Sequence, residues 1–295
     1  MGLSPTAVFI RSRVDVLMRT DHSVLYLDRA EPDIVLKAET IWIDSKPYGS
    51  PSKIEETSDN LTREHDIYNV ISPHRYITKC FGITHDSDGH AIALKLERAT
   101  KGDLRHIIEE TPEPPPIHRR LEMATILAES IVHLHSRGVI WGDISTRNAL
   151  VFSDDTIKIC DFASSALSQT CPEFGPDTYE PAYCPALPEE QVSELSMMER
   201  ELYALGSAIY EITEWKFPYA GIDGDIWDIV EAGTIPVIGI ENTAGGIIDR
   251  CWKFGYDSAS AVLGDLTALV KQVPNKRLES HGNRAGNEEF GIHYL

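Results

Sequence analysis

The sequence predicts an α+β protein of two unequal parts, a small strand-rich N-terminal unit and a larger, mainly helical C-terminal unit. Three observations carry this. Runs of branched and aromatic residues separated by polar turns fill roughly the first hundred positions. After Ala99 the spacing of apolar residues changes to the three-and-four pattern of helices. With 295 residues, the chain is long enough to bury a sizeable core. Hydrophobic content of 42% and charged content of 25% exclude the disordered and collagen-like classes. A net charge of −19 disfavours binding to phosphate backbones and favours cationic partners or substrates.

Taken in order, "VDVLM", "SVLYL" and "DIVLKAETIWI" read as strands between 14 and 43. The Pro-, Ser- and Gly-rich stretch "DSKPYGSPSKIEETSDN" reads as an exposed loop. "LTREHDIYNVIS" follows as a helix, with Thr62 as its N-cap and Glu64 in its first turns. "YITKCFGI" and "HAIALKLERA" return to strand character and close an N-terminal unit over 1–97. The C-terminal unit, 98–273, opens with the helical "GDLRHIIEE" and "HRRLEMATILAESIVHLHSRG". In the second, Leu121, Ala124, Leu127, Ala128, Ile131 and Leu134 share one face, and Gly138 supplies the stop. "NALVF" and "TIKICDF" form a hairpin about Ser153–Asp155, a loop covers 162–194, and three further helices follow from "MMERELYALGSAIYEITEW" onward. Residues 274–295 read as a loosely held tail.

Cys80, Cys160, Cys171, Cys184 and Cys251 have no zinc-finger spacing and no secretory leader precedes them, so a reduced, cytoplasmic setting is expected. A Cys171–Cys184 pair is conceivable only under oxidation. No apolar run is long enough for a membrane span.

The stretch "WGDISTRNALVFSDDTIKICDFASSAL", 141–167, carries Asp143, Asn148 and Asp161 at the mouth of two short strands. Hard side-chain oxygens on that spacing suit magnesium. With a strand lysine at Lys37, a helix glutamate at Glu64 and these motifs in fixed order, roughly 14–272 resembles the protein kinase superfamily. "GDIS" and "DFASS" are most similar to small kinase-like proteins common in fungi. The resemblance implies a bilobal kinase-like fold, a β-rich N-lobe with one helix and a mainly helical C-lobe. It implies ATP and Mg²⁺ as cofactors. Lys37 is then the phosphate-neutralising lysine and Glu64 its partner. Asp143 is the catalytic-loop aspartate, Asn148 and Asp161 are the metal ligands, and Glu97 and Ala99 lie in the adenine-binding hinge. Glu201 replaces the aspartate that braces the catalytic loop, and Pro188–Glu189 ends the activation segment.

Four departures stand beside the resemblance. "RTDHSVLYL" occupies the glycine-rich loop without a glycine, and Asp21 there would repel a triphosphate. Trp141 replaces the catalytic-loop histidine and reads as a packing element beneath Phe162. Gly142 replaces the arginine that clamps a phosphorylated segment, so Ser164, Ser165, Ser168, Thr170 and Tyr179 have no such clamp. Ala163 replaces the glycine after Asp–Phe. Three functions therefore stay open: phosphotransfer to a protein or small-molecule hydroxyl, a pseudokinase scaffold, and a repurposed fold acting on a cationic substrate. The last includes a tRNA-dependent, arginine-containing cyclodipeptide synthase, the one reading that takes tRNA as a partner.

Overall fold

Alternating apolar residues in the first hundred positions assemble one antiparallel sheet. The computed structural model describes residues 14–20, 23–43, 46–167 and 179–274. Its strands are β1 (Val14–Arg19), β2 (Val24–Asp28), β3 (Ile34–Ala38), β6 (Cys80–His85) and β7 (Ala91–Glu97), in the spatial order β1-β2-β3-β7-β6. Two-residue strands β4 (Trp42–Ile43) and β5 (Lys46–Pro47) pair separately. On β3, Leu36 and Ala38 enter a small apolar cluster with Val24, Tyr26 and Trp42. Because strand side chains alternate, Lys37 must point to the opposite face, toward the rest of the molecule.

The β1–β2 turn closes on itself. Thr20 N donates to Ser23 O at 2.9 Å, and Ser23 N donates to Thr20 Oγ1 at 2.9 Å. Asp21 and Cys171, along with Ser168, Thr170 and the tail beyond Pro274, lie outside the described residues.

Helix α1 (Pro51–Ile71) corrects two expectations. Its first ten residues had the composition of a loop, and its N-cap is Ser50, whose side chain accepts from Lys53 N, rather than Thr62. Proline at the first helical position has a pre-set φ and no N–H to waste, so "SPSK" starts a helix rather than preventing one. Glu64 consequently lies deep in the helix. Thr57, Leu61, Glu64, Tyr68 and Ile71 recur at four and three along its buried face.

The C-terminal unit contains α2 (Leu104–Glu110), α3 (Ile117–Ser136), α4 (Glu189–Glu194), α5 (Met197–Glu214), α6 (Ile226–Glu231), α7 (Gly245–Trp252) and α8 (Ala259–Gln272). Between α3 and α4 run β8 (Val139–Ile140), β9 (Ala149–Val151), β10 (Ile157–Ile159) and β11 (Ala166–Leu167). The six apolar residues expected on one face of α3 are all fully buried. Every residue of α5 from Glu201 to Thr213 is buried, which makes it the axis of this lobe. The stretch 162–194, expected as loop, holds β11, a 3₁₀ turn at Pro181–Tyr183 and α4, and α6 was not anticipated.

One apolar core runs through both lobes, from Leu61, Tyr68, Ile77 and Leu94 to Leu127, Ile144, Phe162 and Leu205. The strand-side connection is stitched to β10, since Thr78 N donates to Ile159 O at 3.0 Å and Ile159 N to Tyr76 O at 2.9 Å. Among the described residues no helix is long and apolar enough to cross a membrane.

Helices α5 and α7 touch at Gly206, where an added methyl group would overlap Cys251 Cβ. Gly206→Ala is expected to destabilise the fold by about 1–3 kcal/mol, read as a lower denaturant midpoint with an unchanged slope.

Candidate active site

Lys37 sits 5% exposed between two carboxylates. Its Nζ donates to both oxygens of Glu64, at 2.9 and 2.8 Å, and to Asp161 Oδ1 at 2.8 Å. Burial alone would depress the ammonium's pKa, but Asp161 and Glu64 override it and hold Lys37 charged. Glu64 is pushed up by burial, while at Asp161 the opposing effect of burial yields to Lys37 and the carboxyl stays low. Glu64 also accepts from Phe162 N at 3.1 Å, so one helix carboxylate holds both the strand lysine and the backbone after Asp161.

Asp161 adopts a left-handed backbone, φ 61°. Trp141 supports it. Its indole Nε1–H donates to Asp161 O at 2.8 Å. The tryptophan is fully buried and lies 6.0 Å from the Phe162 ring, which meets Tyr68 edge-on at 4.9 Å. Trp141 is therefore a hydrogen-bonding tie as well as the packing element expected of it. Ala163 is not forced to positive φ, and its carbonyl accepts from Arg63 of α1.

Below the catalytic loop, Glu201 of α5 accepts from Trp141 N and Gly142 N, each at 2.9 Å, and from the Tyr179 hydroxyl at 2.9 Å. His135 Nε2 lies 3.1 Å away. The longer side chain thus reaches two successive amides. Gly142 takes φ 79°, a conformation that costs glycine little. Asn148 Nδ2 donates to Asp143 O at 3.0 Å and to Asp143 Oδ2 at 2.8 Å, which orients the aspartate. Burial, then the charge of Asp161, pushes the Asp143 carboxyl up from 3.8 to about 6. Lys37, Glu64, Asp161, Asp143 and Asn148 accordingly form two hydrogen-bonded groups that sense each other electrostatically.

The two hinge positions are not joined to these groups by hydrogen bonds among the described residues. Glu97 N donates to Lys79 O at 2.9 Å, and its carboxylate is held by Lys158 at 2.6 and 2.7 Å. The Ala99 backbone N–H makes no hydrogen bond among the described residues. Ser165 and Tyr179 are buried, with hydroxyls donating to Trp141 O and Glu201, so neither is presented for phosphorylation in this conformation. Glu189 is exposed at the start of α4 and makes no ion pair among the described residues.

A second buried network had not been anticipated. Arg105 of α2 donates to Glu211 Oε1 at 2.7 Å, Glu180 Oε1 at 2.5 Å, Thr146 Oγ1 at 3.1 Å and Ser145 Oγ at 3.3 Å. Tyr183 OH donates to Glu211 at 2.6 Å. Burial raises the Glu211 pKa against the pull of Arg105. The far end of the catalytic loop is thereby clamped to α2, α5 and the segment before α4. Glu211, set within the buried run Leu202–Thr213 of α5, was the available signal, because a buried charge needs a partner.

The protein kinase domain model matches residues 46–282, and the chain belongs to that family. The match starts beyond Lys37, yet the geometry joins Lys37 to Glu64 inside the matched region. A LIM domain-containing serine/threonine-protein kinase of Dictyostelium discoideum is 27% identical over 200 residues, 66% of this chain and 20% of that protein. The serine/threonine-protein kinase gdt8 of the same organism is 27% identical over 229 residues, 74% of this chain and 16% of that protein. A serine/threonine/tyrosine-protein kinase of Arabidopsis thaliana is 24% identical over 165 residues, 53% of this chain and 41% of that protein. The matched stretches span less than half the length of each of these relatives.

Glu201→Ala strands two buried amides and a buried hydroxyl, and is expected to cost about 3 kcal/mol or more in chemical denaturation. For Asp143 the sign runs the other way. The folded state binds its proton more tightly than the unfolded chain, so ionisation as the pH rises through about 6 removes stability. Asp143→Asn, which never ionises, should melt higher than the parent at pH 7.5, with the gap closing as the pH falls toward 4.

Proposed function

We propose that this chain transfers a phosphoryl group from ATP, with Mg²⁺, to a protein or small-molecule hydroxyl. The observation that carries this is Lys37, buried and charged, held by Glu64 and Asp161 beside an Asp143 whose proton affinity is tuned toward neutrality. A carboxylate poised near pH 6 suits a group that accepts or orients a hydroxyl proton at neutral pH.

The donor set fits a hard divalent ion. Asn148 spends its amide nitrogen on Asp143, and Asp161 spends Oδ1 on Lys37. Asn148 Oδ1 and Asp161 Oδ2 make no hydrogen bond among the described residues, which leaves oxygens of the type magnesium takes. When bound, the ion neutralises phosphate charge. Lys37 supplies the fixed ammonium, Asn148 and Asp161 hold the metal, Asp143 orients the acceptor, and the Ala99 N–H is open to a nucleobase. A cytoplasmic setting belongs to the same proposal.

A scaffold without turnover is the second reading, and the β1–β2 turn favours it. The amides of Thr20 and Ser23 are consumed within the turn, whereas a phosphate cradle needs them outward-facing. The kinase relatives weigh for phosphotransfer over aminoacyl transfer from tRNA.

ATP with Mg²⁺ is expected to raise the thermal midpoint, because a ligand that binds only the folded state adds RT ln(1 + [L]/Kd). Asp161→Asn and EDTA should each abolish the shift, and with the parent protein radiolabelled phosphate should appear on an acceptor or in water. A shift without any turnover selects the scaffold, and no shift with ATP overturns the proposal.

A further inference from the structure

The stretch from Phe217 to Asp249 contains no lysine, arginine or histidine, yet carries Asp223, Asp225, Asp228, Glu231, Glu241 and Asp249. Of these, all but Asp249 are exposed, and none of those five forms an ion pair among the described residues. The same stretch is unusually apolar at its surface. Of the ten large apolar side chains most exposed among the described residues, five fall here: Ile222, Trp227, Ile235, Val237 and Ile240. Trp227 is 51% exposed, Val237 82% and Ile240 98%.

Exposure of this kind usually accompanies loose chain, but this segment is pinned. The hydroxyl of buried Tyr219 donates to Thr234 O at 2.9 Å, and that of buried Tyr210 donates to Val237 O at 3.2 Å. Glu214 accepts from Gly239 N at 2.8 Å, and Thr234 N donates to Ile229 O of α6 at 3.1 Å. Pro236 is buried while its neighbours Ile235 and Val237 are both exposed. On α6, Val230 faces the core while Trp227 and Asp228 face solvent. The outcome is a hydrogen-bonded surface stretch in which exposed apolar side chains alternate along the chain with carboxylates that form no ion pair among the described residues.

We infer that the surface built from residues 222–241, α6 among them, docks a polypeptide whose side chains alternate between basic and apolar. Apolar side chains held out of a packed lobe mark an interaction surface, and charge complementarity sets the sign of the partner. A second copy of this chain does not fit. Each copy carries −19, and pairing the faces would oppose five carboxylates with five. The docking surface is formed by residues other than those of the Lys37–Glu64–Asp161 cluster and stands whether or not that cluster serves phosphate transfer.

The test is a titration of the full chain into a fluorescein-labelled synthetic peptide of alternating arginine and leucine, read by anisotropy. Glutamate–leucine and arginine–serine peptides serve as controls. The arginine–leucine peptide should bind best, with affinity falling as salt rises. Val237→Ser/Ile240→Ser and, separately, Asp223→Asn/Asp228→Asn should each weaken binding at least about tenfold. Both pairs are solvent-facing, so thermal midpoints should stay at the parental value, and Trp227→Ala provides a third, independent lesion. Equal binding of the arginine–serine peptide overturns the inference, as does affinity untouched by the variants. Self-association in sedimentation that Val237→Ser/Ile240→Ser abolishes would assign the face to a second copy and equally overturn it.

Discussion

An ammonium with two carboxylates around it, almost wholly out of water, is an expensive object unless each charge is answered at hydrogen-bond distance. In this chain Lys37 answers both Glu64 and Asp161, and three segments from two lobes converge on it. Glu64 is the one charged residue in the buried stripe of its helix. Without the strand lysine, that stripe would press an unpaired charge into apolar surroundings, and the helix would have no reason to dock in this register. The same carboxylate accepts the Phe162 amide, so docking of the helix also sets the backbone that presents Asp161. Much of the lobe arrangement follows from this one cluster.

A second constraint comes from the central helix of the C-terminal lobe. Glu201 and Glu211 are fully buried and stand about 15 Å apart along its axis. The first grips the start of the catalytic loop at Trp141 and Gly142, the second its far end at Thr146 with Arg105 as counter-charge. The loop is thus suspended from one helix at two points, and Asp143 lies between them. Buried carboxylates that accept amide, hydroxyl and guanidinium protons define positions more narrowly than apolar packing does, since each acceptor has a direction.

Much of this is legible in the sequence. The apolar stripe of α3, the strand runs and the order of Lys37, Glu64, Asp143, Asn148 and Asp161 are local patterns, and the structure brings those five together. The start of α1 was not readable by composition, because Ser50 and Pro51 resemble loop residues until the cap hydrogen bond is seen. The Arg105 network was hidden for a different reason. Its members come from 105, 145–146, 180–183 and 211, and only tertiary structure brings them together. The hinge position of Glu97 in the sequence says nothing of its side chain, which is taken by Lys158.

The tie from Trp141 to the Asp161 carbonyl has a consequence for how the site responds to its surroundings. An imidazole in that place gains a proton within the physiological range and changes charge beside Asp161. An indole has a single N–H, no lone pair to protonate, and no titration in water. The join between catalytic loop and Asp161 peptide is therefore deaf to acidity. Whatever acid sensitivity the Lys37–Asp161 cluster possesses enters through its carboxylates and not through the indole that ties the loop to it.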